Sequence, residues 1–185
     1  MTSKHTLTLT AYLQSTKPPW TSLLVVKAGQ RPESLVHPPT GLVLKIIKGR
    51  HCKTPASLFA EFARVLEFPD YFGHNWDALE ECLTDLEWLP AKGYILLITD
   101  AAHVLSNDEA EYETFLEILR DAGEAWGNGQ AGMGMRRATP FHALFAVSER
   151  ERAKRTHWGM KEINAEPIRE SNARQRSPKQ KPSQT

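Results

Sequence analysis

No apolar run in this 185-residue chain approaches the ~18–20 consecutive residues that a membrane span requires. Its first residues, MTSKHTLTLTAYLQ, alternate threonine with leucine and lack the continuous apolar stretch of a secretory signal. Cysteine is scarce. Cys52 and Cys82 provide neither a disulfide framework nor a CxxC zinc knuckle. A reducing, cytoplasmic setting is therefore expected. The catalytic fingerprints are missing as well: there is no HExxH, P-loop, GxSxG or dinucleotide-binding glycine pattern. The glycines of GMGMRR (132–137) follow no strand, and the seven histidines are scattered. The chain reads as a non-enzyme that needs no cofactor and no metal.

Positive charge is depleted where negative charge collects. Residues 1–54 carry 8 Lys/Arg and 1 Glu. Residues 55–125 carry 3 Lys/Arg against 16 Asp/Glu, net −13, and residues 150–185 return to 10 Lys/Arg against 4 Glu. The formal net charge of +1 hides this segregation. A middle segment so acidic repels nucleic acid and attracts basic surfaces. Lys and Arg in the tail are suited to phosphate contacts, but Trp158 is the lone aromatic there for base stacking. Direct nucleic-acid binding is disfavoured, with the tail leaving it open.

Three short apolar runs read as strands: Leu42–Lys48, Tyr94–Thr99 and Phe141–Val147. The middle one carries no charge, as expected of a strand covered on both faces. Helical patterns lie between them, giving the order β-α-α-β-α-β, the signature of crossover units and a parallel sheet. Thr54 and Pro55 mark one helix start, and Leu58, Phe59, Phe62, Val65 and Leu66 form its core stripe. Asn75 caps a second helix, and a third follows Ser106-Asn107. Three regions are expected: a partly ordered N-terminal extension (1–41), an α/β domain (42–149) with a three-stranded parallel sheet, and a basic, largely disordered tail (150–185). Leu23–Val26 is either an added strand or a clasp, and GNGQAGMGMRRA (127–138) is a flexible loop.

The informative segment is Phe68–Leu89. Advancing about 100° per residue from Asp77 places Glu80, Glu81, Thr84 and Asp85 within roughly 80° of it. Leu79, Cys82, Leu83 and Leu86 occupy the opposite arc. A solvated helix usually mixes signs, because like charges at i,i+4 cost ~0.2–0.5 kcal/mol per pair. Here Asp77, Glu80, Glu81 and Asp85 repel one another with no base among them. Such a face either presents anions to a cationic partner or is simply a solvated acidic surface. Ahead of it, Tyr71, Phe72, Gly73 and His74 make an aromatic loop in which the glycine permits an unusual turn. Phe72 reads as a core anchor and Tyr71 as a rim residue.

Pro69, Tyr71, Phe72, Gly73, Asn75, Asp77, Ala78, Leu79, Glu81, Cys82 and Leu83 follow a long and specific pattern. It resembles the signature of the barstar family of intracellular ribonuclease inhibitors, and the likeness extends over roughly residues 42–147. The resemblance implies a barstar-like α/β domain whose helix and preceding loop plug the active site of a small basic microbial ribonuclease or related nuclease toxin, in a 1:1 complex. It implies that Asp77 and Glu81 meet the nuclease's cationic site, that Tyr71 and Gly73 lie in the contacting loop, and that Asp121 is a peripheral acidic contact. Asn75, Trp76, Glu80 and Thr84 complete the candidate partner-binding set. Two positions depart from the family's archetype, which has aspartate at Glu81 and tryptophan at Glu80. The alternative reading is an interaction module of the same fold whose partner is not a ribonuclease.

Overall fold

A computed structural model describes residues 8–132, 136–155 and 157–163. Along the chain come α1 (Leu9–Leu13), β1 (Thr21–Val26), β2 (Leu42–Lys48), α2 (Pro55–Leu66), α3 (Trp76–Asp85), β3 (Gly93–Thr99), α4 (Tyr112–Gly127), β4 (Phe141–Ser148), α5 (Glu149–Arg152) and β5 (Lys161–Ile163). All strand pairs are parallel, in the spatial order β2-β3-β4-β1-β5. As expected from its lack of charge, β3 is buried at every position and lies between β2 and β4.

The sheet has five strands, which corrects the expected three. β1 lies beside β4 with Leu23 opposite Phe145, and β5 pairs with β1 at the far edge. Of the two readings open for Leu23–Val26, an added strand or a clasp, the pairing with β4 makes it a strand, which begins two residues earlier at Thr21. β5 escaped notice because its sequence, Lys-Glu-Ile, is polar. A strand joined along one edge needs backbone hydrogen bonds more than apolar side chains.

Alternation along each strand divides the interior in two. On one face Leu23, Ile47, Leu96, Ile98, Phe141 and Phe145 pack against Leu58, Phe62, Leu79, Leu83, Phe115 and Leu119 from α2, α3 and α4. On the other, Leu24, Ile95, Leu97 and Leu144 are covered by Tyr12 and Leu13 of α1 and by Val36. The chain before β2 therefore supplies both a strand and the lid of the second face. Trp20, just ahead of β1, packs against Gly123 and Gly127 on α4, where a Cβ at Gly123 would lie 2.5 Å from the indole.

The chain after β4 also packs. Arg155 lies 3.6 Å from the Tyr112 ring centroid and donates to the Val104 carbonyl at 2.9 Å. Trp158 is buried and its indole N–H donates to the Arg152 carbonyl, so it is not offered for base stacking. The polar residues beyond Ile163, expected to be disordered, lie outside the described residues, as do residues 133–135 of the glycine-rich loop. Among the described residues no helix is long and apolar enough to cross a membrane.

Candidate functional site: an acidic helix and its aromatic loop

α3 begins where the Asn75 side chain accepts the Ala78 N–H at 2.8 Å, satisfying one of the helix's orphan donors. It ends at Leu86, a fully buried residue in the left-handed conformation (φ 48°) whose N–H donates to the Cys82 carbonyl. Leu79, Cys82 and Leu83 are buried against the core. Burial, followed by the charges of Glu81 and Asp85, pushes the Cys82 thiol up to about 11, so it stays protonated and packs rather than reacts.

The outward arc holds Asp77, Glu80 and Glu81, all exposed. Among the described residues none of the three has an ion-pair partner. Asp85 differs. It is half-buried, and Arg136 donates to its carboxylate at 3.4 Å and to its backbone carbonyl at 3.0 Å. Burial first, and then Glu87, raise the Asp85 carboxyl above its ordinary range, while Arg136 pulls the other way. Thr84 turns its hydroxyl back to the Glu80 and Glu81 carbonyls, at 2.9 and 3.0 Å. Its proton is thus spent within the helix.

Tyr71 is 69% exposed, the one large hydrophobic residue so exposed among those described. Desolvation first, and then the nearby Cys82, Asp85, Glu81 and Glu87, raise its phenol above the ordinary range, which places the loop and the acidic arc in one electrostatic neighbourhood. Phe72 is the buried anchor expected of it, with its ring 4.9 Å from Phe68 and 6.4 Å from Phe59. The unusual backbone turn falls on His74 (φ 50°), not on Gly73 as the sequence suggested. Gly73 matters for space: a Cβ there would come 3.3 Å from the Asn75 side chain and 3.5 Å from the Ala78 Cβ, crowding the cap.

Two of the candidate residues are placed apart from this arc. Trp76 faces inward. Its ring meets Phe59 edge-on at 4.8 Å, and its indole N–H donates to the Glu111 carboxylate at 3.0 Å. Asp121 is exposed on the outer arc of α4 together with Glu117 and Glu124. Sequence reasoning missed Glu111, Trp126 and Arg136, which hold α3 at its two ends. Trp126 donates to the Leu83 carbonyl at 2.8 Å. No spacing in the sequence announced these contacts, since each partner is 35 residues or more away along the chain.

Among the described residues no group of three or more His, Cys, Asp or Glu side chains is placed to hold a metal ion. What the geometry offers is three carboxylates, unpaired among the described residues, on a packed helix beside an exposed phenol, an arrangement for charge-assisted hydrogen bonds to Arg or Lys. No curated protein matches the chain. A family model, Barstar (barnase inhibitor), matches residues 43–146, which include β2, α2, the aromatic loop, α3, β3 and α4. That span is more than half of the chain, and the protein belongs to the Barstar (barnase inhibitor) family.

Proposed function

We propose that the protein inhibits a small basic ribonuclease by placing α3 and the Tyr71 loop in its cationic active site. The observation that carries this reading is the set of exposed carboxylates at Asp77, Glu80 and Glu81, unpaired within the described residues and adjoining exposed Tyr71. A ribonuclease site binds phosphate with Arg, Lys and His. Carboxylates on a pre-formed helix occupy the same positions as phosphate mimics, and their hydrogen bonds gain strength where water is excluded. The helix accepts like-charge repulsion in the free protein. That repulsion is relieved when partner cations enter.

Residues 55–125, net −13, extend the attraction beyond contact distance and raise the association rate. The complex is 1:1, and it forms and breaks without covalent chemistry. Immobilised protein should retain a ribonuclease from host extracts or culture fluid, and RNA should compete for it. Raising salt should slow association more than it speeds dissociation, because steering is screened over about 8–10 Å. Failure to retain any ribonuclease, across the host's own enzymes and a panel of small basic ones, rejects the reading.

A further inference from the structure

α3 ends against its own dipole. A helix carboxyl end favours positive charge, yet no basic residue lies in the last turn of α3, and its last residue is Asp85. Glu87 follows close by. The missing cation comes from a distant part of the chain. Arg136, just before β4, donates through Nη1 to the Asp85 carbonyl at 3.0 Å and through Nη2 to the Glu87 carboxylate at 2.7 Å and the Asp85 carboxylate at 3.4 Å.

The guanidinium is itself held. It lies 5.5 Å from the centroid of the Trp126 ring, whose indole N–H caps the Leu83 carbonyl at 2.8 Å. The Arg136 N–H donates to the Gly129 carbonyl at 2.8 Å, closing the loop on itself. Gly132, at φ +72°, leaves the space that the guanidinium fills: a Cβ there would lie 2.5 Å from Nη2. Two carbonyls at the α3 carboxyl end are thus satisfied by a stacked Trp–Arg pair, and the same arginine offsets the two acids nearest that end.

We infer that Arg136 is the positioning residue of the recognition helix, fixing the carboxyl end of α3 and offsetting Asp85 and Glu87 so that Asp77, Glu80 and Glu81 are the charges left for a cationic partner. Its use to a partner rests on the inhibitor reading above. The hold on the helix is a property of the free protein and is measured there.

The experiment compares Arg136→Gln and Arg136→Lys with the unaltered full chain. In the free protein, NMR titration of the Asp85 carboxyl should move to higher pH in Arg136→Gln and stay near the original in Arg136→Lys, which keeps the charge. Amide exchange at Cys82–Leu86 should quicken about ten-fold in both, since lysine cannot span carbonyl and carboxylates as the guanidinium fork does. A role in packing alone would not split charge from geometry in this way. With barnase as the probe, Arg136→Gln should associate at low salt at least as fast as the unaltered protein, because the face becomes more negative, and should dissociate faster.

Unchanged Asp85 titration and unchanged exchange in Arg136→Gln overturn the inference. So does slower association, which would make Arg136 a contact in its own right. Should Arg136→Gln fail to fold, Arg136→Lys decides through its exchange rates. If barnase binds neither protein, the ribonuclease reading is what suffers, while the titration and exchange still decide the role of Arg136.

Discussion

The carboxylates of α3 fall into two environments. Asp77, Glu80 and Glu81 stand exposed and, among the described residues, unpaired, whereas Asp85 is half-buried under Arg136. Under the inhibitor reading, Asp77→Ala and Glu81→Ala should each weaken the complex with the captured ribonuclease by about 2 kcal/mol or more, as truncations at hot spots do. Much of that loss comes from leaving the nuclease's cations buried and unpaired. Glu33→Ala, an exposed acid far along the sequence beside the carboxyl end of β1, should have no measurable effect. Dissociation constants of the three variants check this, and full affinity after removal of both Asp77 and Glu81 rejects it. His142 gives a prediction on stability. It is completely buried, with one ring nitrogen 2.8 Å from the Ser15 carbonyl and the other without a hydrogen-bond partner among the described residues. Burial holds its pKa below the ordinary 6.5. The unfolded chain therefore takes up the proton first. Stability is unaffected above pH 6.5 and falls as the pH drops below it. The melting temperature between pH 7 and 5 should decline in the original protein and decline less in His142→Gln.

At the scale of elements, α3 is a helix of 10 residues, short enough to need help at both ends. Asn75 supplies the cap, Glu111 and Trp76 bind the first turn to the start of α4, and Trp126 and Arg136 bind the last. α4 is thus the mount for the acidic helix, and what disturbs α4 disturbs the site. Its glycines at 123 and 127 are four apart, so they share one face and admit Trp20 against the backbone. A methyl group at 123 would meet the base of the indole side chain rather than its mobile end. Overpacking of this kind costs roughly 1–3 kcal/mol, and the gain in helix propensity over glycine returns at most about 1. Gly123→Ala should therefore lower stability in urea unfolding. A stabilised variant would show that Trp20 repacks freely.

The whole molecule is larger than the segment that carries the family signature. The family match spans β2, β3 and most of β4, yet β4 also pairs with β1, and the sheet's second face is covered by residues before β2. A fragment of residues 42–149 would expose Ile95, Leu97 and Leu144 and leave β4 as an unpaired edge. Exposed apolar faces and open edges favour association. The fragment should bind the dye ANS, lose cooperative unfolding or aggregate. A monomeric fragment with a sharp melting transition would show that the N-terminal lid is dispensable. The acidic helix α3 lies on the opposite face of the sheet from this lid, so the lid supports the scaffold without touching the candidate site.

Much of the architecture was legible in the chain because its signals are local. A charge-free run such as Tyr94–Thr99 must be buried, Thr54-Pro55 and Asn75 start helices by satisfying their own orphan N–H groups, and a period near 3.6 puts Asp77, Glu80 and Glu81 on one arc wherever the helix lies. The candidate site was legible for the same reason, being one helix and the loop before it. Only the tertiary structure decided what depends on distant partners. It made Trp76 a mount rather than a free surface, moved the left-handed residue from Gly73 to His74, and set Arg136 against Asp85. It also turned Leu23–Val26 and Lys161–Ile163 into strands, because a β-strand is completed by hydrogen bonds to a neighbour that its own sequence does not name. Periodicity reports which side of an element is apolar. Charge pairing and edge pairing are settled when elements meet.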